Sequence, residues 1–259
     1  MATPEPAYRP RESRAGRAQR QSSVAFVGWS KLEQQLDRTW KPGQHVTLIG
    51  KTGSGKTHLA LALADLRPYT IIAATKRRDP LIQSAGASYK VVASMKEIPR
   101  TENGRPVFHK VIVWPGMTEA NEKIRHAMQA DSLRDTFATA ERQGHWTVLL
   151  DETMWAYDML GLKRELDSVW YQGRSSGVSL VASAQRPTRV PRLMISSASH
   201  LFLSYVSDKR DLEPLRDIGG VVPREVIEST LPTLDWERHE FLYIGADTGE
   251  IARTIAPPR

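Results

Sequence analysis

Eight consecutive residues, Gly50, Lys51, Thr52, Gly53, Ser54, Gly55, Lys56 and Thr57, carry the spacing G-x-x-x-x-G-K-[ST]. Glycines at those positions let the backbone curl until successive amides point inward at phosphate oxygens, and a following helix adds the positive end of its dipole. Lys56 is then placed to neutralise β- and γ-phosphate charge, and Thr57 to ligate Mg2+ through its hydroxyl. The flanks are the required ones, with the apolar run HVTLI before the loop and HLALALADL after it. The loop is therefore expected to bind a nucleotide.

A second feature supplies acid. The run TVLL ends in Asp151-Glu152, which brings two carboxylates to the C-terminal end of an apolar strand, where ligands sit in open parallel sheets. Asp151 fits the acceptor that helps hold Mg2+. Glu152, one residue on, points elsewhere and can act as general base toward an attacking water. A pair of acids after a strand can also just cap the next helix, and Asp79 before Pro80 reads as a turn residue. A carboxylate beside the water favours hydrolysis over kinase chemistry. The chain contains no Asn-Lys-x-Asp guanine-recognition tetrapeptide, so ATP is the expected nucleotide by elimination.

Short β-branched runs separated by helical patterns must position these groups. Residues 45–49, 70–74, 110–114, 147–150 and 178–182 read as buried strands, with two more expected at 201–205 and 241–244. A long helix is expected over 118–142 with Ile124, Met128 and Phe137 in the core. A second puts Leu162, Leu166, Val169 and Trp170 on one stripe. Helices at 208–215 and 223–230 and a hairpin near 239–255 complete the chain. The fold class is α/β, with a mainly parallel central sheet flanked by helices.

The 259 residues allow one large domain. Residues 1–23 are rich in Arg, Pro, Ser and Gln and read as a flexible basic arm, leaving 24–259 as the folded domain, with C-terminal helices and hairpin from about 206. Formal charge is +7; the arm has 5 Arg against 2 Glu, or +3, which leaves +4 on the body. That excess fits an anionic partner without requiring one, and the arm is either a solubilising tail or a nucleic-acid contact. The absence of cysteine excludes disulfides, thiolate zinc sites and Cys nucleophiles. His58, His109, His126 and His145 lack metal-ligand spacing. No apolar run approaches the roughly 20 residues that span a bilayer, so a soluble, cytoplasmic protein without a membrane span is expected.

Gly173-Arg174-Ser175-Ser176-Gly177-Val178 followed by Gln185-Arg186-Pro187 narrows the reading. Together with the loop and the acidic pair, this segment resembles the FtsK/HerA superfamily of P-loop ATPases, over roughly residues 42–206. The residue before Gln185 is Ala184, where that superfamily usually has Thr or Ser. The resemblance implies a RecA-like P-loop NTPase fold, ATP and Mg2+ as ligands, and Gln185 as a polar sensor of the γ-phosphate or its water. It also implies Arg174 as an arginine finger offered to a neighbouring subunit, although Arg174 can equally be a surface residue near a helix C-terminus. A finger in trans requires a homo-oligomeric ring, a hexamer or a pentamer. Lys76, Arg77 and Arg78, and Arg186, Arg189 and Arg192, then form basic loops that either track a DNA backbone or are ordinary solvated faces.

By the same resemblance the expected role is an ATP-driven double-stranded DNA translocase, most closely a viral genome-packaging ATPase working in the host cytoplasm beside a portal or nuclease partner. Alternatives are an ATPase that drives protein secretion or virion or pilus assembly, and a slow nucleotide-dependent DNA clamp.

Overall fold

The structure, a computed structural model, describes residues 24–258 apart from 77, 79–81, 83–84, 99–100, 106, 117, 217 and 219–221. The basic arm, Arg77 and Asp79 thus lie outside the described residues. Nine strands form one sheet: β1 (His45–Ile49), β2 (Thr70–Ala73), β3 (Lys90–Val92), β4 (Lys110–Val113), β5 (Thr147–Leu150), β6 (Ser179–Ala184), β7 (Ala198–Leu203), β8 (Glu240–Gly245) and β9 (Glu250–Ile255). Their order is β3-β4-β2-β5-β6-β1-β7-β8-β9. Pairing is parallel from β3 through β7 and antiparallel in the β7-β8-β9 meander.

The helices are α1 (Trp29–Thr39), α2 (Lys56–Asp65), α3 (Glu122–Gln143), α4 (Lys163–Ser176), α5 (Arg192–Ser196), α6 (Lys209–Leu212) and α7 (Arg224–Thr230). The parallel strands are apolar on both faces because both are covered. Along β2, β4, β5 and β6, residues Ile71, Val111, Val148 and Leu180 join one core with Leu133 and Phe137 of α3 and Leu166 and Val169 of α4. Their neighbours Ile72, Ile112, Leu149 and Val181 face the opposite core, with Leu32 and Leu36 of α1 and Leu59 and Leu63 of α2. A third core under the meander joins Leu201, Leu203, Leu242 and Ile244 to Leu212 of α6 and Ile227 of α7.

The expected stripe Leu162, Leu166, Val169 and Trp170 is buried throughout. The expected burial of α3 fails at its first turns: Phe137 is 1% exposed, but Ile124 is 50% and Met128 44% exposed. A helix of 22 residues runs about 33 Å at 1.5 Å per residue. The four-residue strands beneath it extend only about 13 Å. The first two turns therefore overhang the sheet, and burial begins at Gln129.

Candidate nucleotide site

β1 hands the chain to the glycine loop and the loop hands it to α2, so the loop sits at the C-terminal edge of the sheet. Gly55 caps α2 in the left-handed region at φ 86°, a conformation that favours glycine. A Cβ there would lie 2.8 Å from the His239 ring, and one at Gly50 would lie 2.6 Å from Ser204 Cβ. Both glycines are thus required by close approach from C-terminal segments. Lys51 lies across the loop's outer side with its ammonium 3.2 Å from the Trp236 ring centroid, a cation–π contact.

The strand order makes the site. β6 lies between β1 and β5, so Gln185, just past the end of β6, emerges between the loop and Asp151-Glu152. The three strand ends are stitched together: the Gly50 amide donates to Ala184 O at 3.1 Å, and the Ser183 hydroxyl donates to the Asp151 carbonyl. Thr57 Oγ1 donates to Asp151 Oδ1 at 2.8 Å, and Gln185 Nε2 donates to Glu152 Oε2 at 3.2 Å. Lys56 is buried, its ammonium donating to the carbonyls of Gly50 at 2.6 Å and Lys51 at 2.9 Å. Burial pulls its pKa below the usual lysine value, the nearby charges of Asp151 and Glu152 oppose that, and Lys76 adds to it.

These groups line a cavity of about 320 Å3 with Thr52, Gly53, Gly55, His58, Lys76 and His239. Thr57 and Asp151 are hard oxygen donors, the chemistry Mg2+ takes when most of its remaining ligands are phosphate and water. Among the described residues no group of three or more His, Asp or Glu could itself hold a metal ion. The donor set therefore fits a metal that arrives with a phosphate.

Three placements differ from the sequence expectation or add to it. Lys76 is exposed, its side chain 42% so, and its ammonium pairs with Asp151 Oδ2 at the cavity. Arg174 sits in the last turn of α4, 70% exposed and paired with Asp247 at 3.3 Å. It is at the opposite edge of the sheet, beside Gly43, about 16 Å from the loop along a five-residue strand, and so is not part of its own chain's site. His58 and His239 line the cavity. Adjacency to Thr57 could have flagged His58, whereas nothing local in sequence marks His239. Arg78, Arg189 and Arg192 are exposed. Arg186 is tied down, with its guanidinium donating to Asp211 at 2.9 and 3.1 Å. No described helix is long and apolar enough to cross a membrane.

No family model matches the chain. It is 28% identical over 156 residues to the aliphatic sulfonates import ATP-binding protein SsuB 1 of Pseudomonas fluorescens, covering 52% of this chain and 54% of that protein. The chain thus spans about half the length of this curated relative. Among solved structures it is similar to the genome packaging NTPase B204 from Sulfolobus turreted icosahedral virus 2 in complex with AMPPCP. That match has TM-score 0.61 and 16% identity, over 84% of this chain and all of that one. It is also similar to the bacterial conjugative coupling protein TrwB, with TM-score 0.52 and 11% identity, over 91% and 93% of the two chains. By fold, the chain is a RecA-like P-loop NTPase domain, a nine-stranded and mostly parallel sheet flanked by helices.

Proposed function

We propose that the protein hydrolyses ATP and uses the cycle to move double-stranded DNA. The observation that carries the hydrolysis is the meeting of four side chains from three adjacent strand ends: Lys56, Asp151, Glu152 and Gln185 around one cavity. Lys56 turns from the loop carbonyls to the phosphate oxygens and offsets their charge. Thr57 and Asp151 would hold Mg2+, which would supply charge neutralisation at the bound phosphates. Glu152 accepts the proton of the attacking water while Gln185, bonded to it, orients that water. The new bond forms from water oxygen to the γ-phosphorus, the bond to the bridging oxygen breaks, and ADP and phosphate leave.

The DNA part rests on less. Arg78 follows β2 and Arg189 follows β6 at the same edge as the nucleotide site, and Arg192 opens α5 beyond them, so movement there would reach groups able to contact phosphates. Arg174, exposed on the other edge, is offered to the next subunit's nucleotide, which makes a hexameric or pentameric ring the working form. The similarity to a genome packaging NTPase and to a coupling protein supports a packaging role in the host cytoplasm, next to a portal or nuclease. The test is the ATPase rate of the purified protein with and without double-stranded DNA, read together with its oligomeric mass. Stimulation by DNA under ring-forming conditions is expected. An equal rate in both, with stimulation only by a protein partner, would reassign the motor to secretion or assembly.

A further inference from the structure

Lys76 was grouped by its sequence neighbours with the basic loop, yet its backbone is fixed so that its side chain reaches inward. The Trp114 indole N–H at the end of β4 donates to Lys76 O at 2.8 Å, and Gln129 Nε2 of α3 donates to Thr75 O at 3.0 Å. The end of β4 and helix α3 thus hold the backbone that presents this residue to the cavity. Its ammonium pairs with Oδ2 of Asp151, whose other oxygen, Oδ1, accepts from Thr57. Asp151 is 7% exposed while the Lys76 side chain is 42% exposed, so the carboxylate is sealed and the ammonium approaches it from the solvent side.

We propose that Lys76 is a competitor of the metal: it neutralises Asp151 in the nucleotide-free protein and must leave that carboxylate when Mg2+–nucleotide binds. The reading rests on Thr57 and Asp151 holding the metal, as proposed above. A metal against Thr57 Oγ1 and Asp151 would lie within a few ångströms of the ammonium, with the Lys56 ammonium in the same cavity. Like charges at that separation repel, with water damping the effect on the exposed Lys76 side. The expense of displacing Lys76 raises the Mg2+ concentration that nucleotide binding requires.

The experiment is binding of a fluorescent, non-hydrolysable ATP analogue titrated with Mg2+, which reads binding and not turnover. Lys76→Met is expected to lower the Mg2+ concentration at half-saturation about tenfold, and Lys76→Arg, which keeps the charge, to stay within about twofold of wild type. Lys123→Met, in the exposed first turn of α3, is the control for loss of a positive charge outside the cavity and should leave the midpoint unchanged. Thermal melts confirm that each variant is folded. An unchanged or higher midpoint in Lys76→Met overturns the proposal, as does an equal fall in Lys76→Arg, which would trace the effect to packing. If wild type bound no nucleotide, the nucleotide reading itself would fail. If wild type binds, Lys56→Ala does not, and Lys76→Met behaves as wild type, only the competitor role is lost.

Discussion

The two edges of the parallel sheet use charge in opposite ways. At the C-terminal edge, Lys56, Lys76, Asp151 and Glu152 are gathered around one cavity, and their mutual pairs occupy groups that a phosphate and its metal would take over. At the N-terminal edge, polar groups are either sealed or spread over the surface. His45, on β1, is buried and accepts from the Leu180 amide at 3.0 Å. His200, on β7, is buried against the Tyr243 hydroxyl at 3.0 Å. Arg174 and Asp247 pair in the open. A sheet edge becomes a site when charges converge on space a ligand can enter. The same residue types dispersed or desolvated serve only the fold.

The largest expected effect is at the converged edge. Lys56→Ala removes the one buried ammonium of the loop and should weaken triphosphate binding by at least about 100-fold, on the scale of a lost charge-assisted contact at about 3 kcal/mol. Isothermal titration checks it; binding within a few-fold of wild type would mean the edge is not a phosphate site.

At the sealed edge the handle is pH. Burial lowers the pKa of His45 from 6.5 to about 4, with the charge of Arg174 adding to it, and burial lowers that of His200 to about 4 as well. Between those values the unfolded chain binds more protons than the folded one. The stability these imidazoles contribute is therefore complete above pH 6.5 and is lost as pH falls toward 4, on the order of 3 kcal/mol for each. Melting temperature should drop steeply over that window, and His45→Gln should flatten the drop. A melt that does not vary from pH 7 to 4.5 would show that these rings are not sealed.

Gly55→Ala tests the docking of the C-terminal turn on the loop. The left-handed φ and the His239 ring 2.8 Å from the added carbon predict a loss of about 1–3 kcal/mol in stability together with weaker nucleotide binding; a His239→Ala partner substitution should restore part of it. Smallest is Arg174→Ala, whose exposed pair predicts a stability change under about 1 kcal/mol and unchanged nucleotide affinity in the isolated chain. Its effect should appear only in assembled rings, where mixing with Lys56→Ala subunits is expected to recover some hydrolysis. Mixed rings that remain inactive would leave Arg174 a surface residue.

The converged edge was largely legible in sequence because its motifs are local. Eight residues of fixed spacing define the loop, and an apolar strand ending in Asp151-Glu152 places the acids. Gln185 entered through the resemblance of its Gln-Arg-Pro run alone, and the pairing of β6 with β5 sets it beside the acids. Contacts between distant segments were not legible. Lys76 sits in a run of basic residues that reads as solvated, and Trp114 and Gln129, from elements far along the chain, hold the backbone from which its ammonium reaches Asp151. His239 reaches Gly55 because the antiparallel meander folds back on the loop. The strand β3 offers three residues, two of them exposed, and so carries too short a pattern to announce itself, whereas α1 is amphipathic around Leu32 and Leu36 and its spacing could have been read. Ile124 and Met128 misled because periodicity reports one face of a helix, not how far the sheet beneath it extends.

The account's central claim is that Glu152 performs the hydrolytic step at a nucleotide held by Lys56 and Thr57. The most direct measurement compares ATP affinity and single-turnover hydrolysis in wild type and Glu152→Gln. Affinity within about twofold with hydrolysis slowed at least about 100-fold, the scale of general-base catalysis, is the predicted result; hydrolysis at the wild-type rate would contradict it.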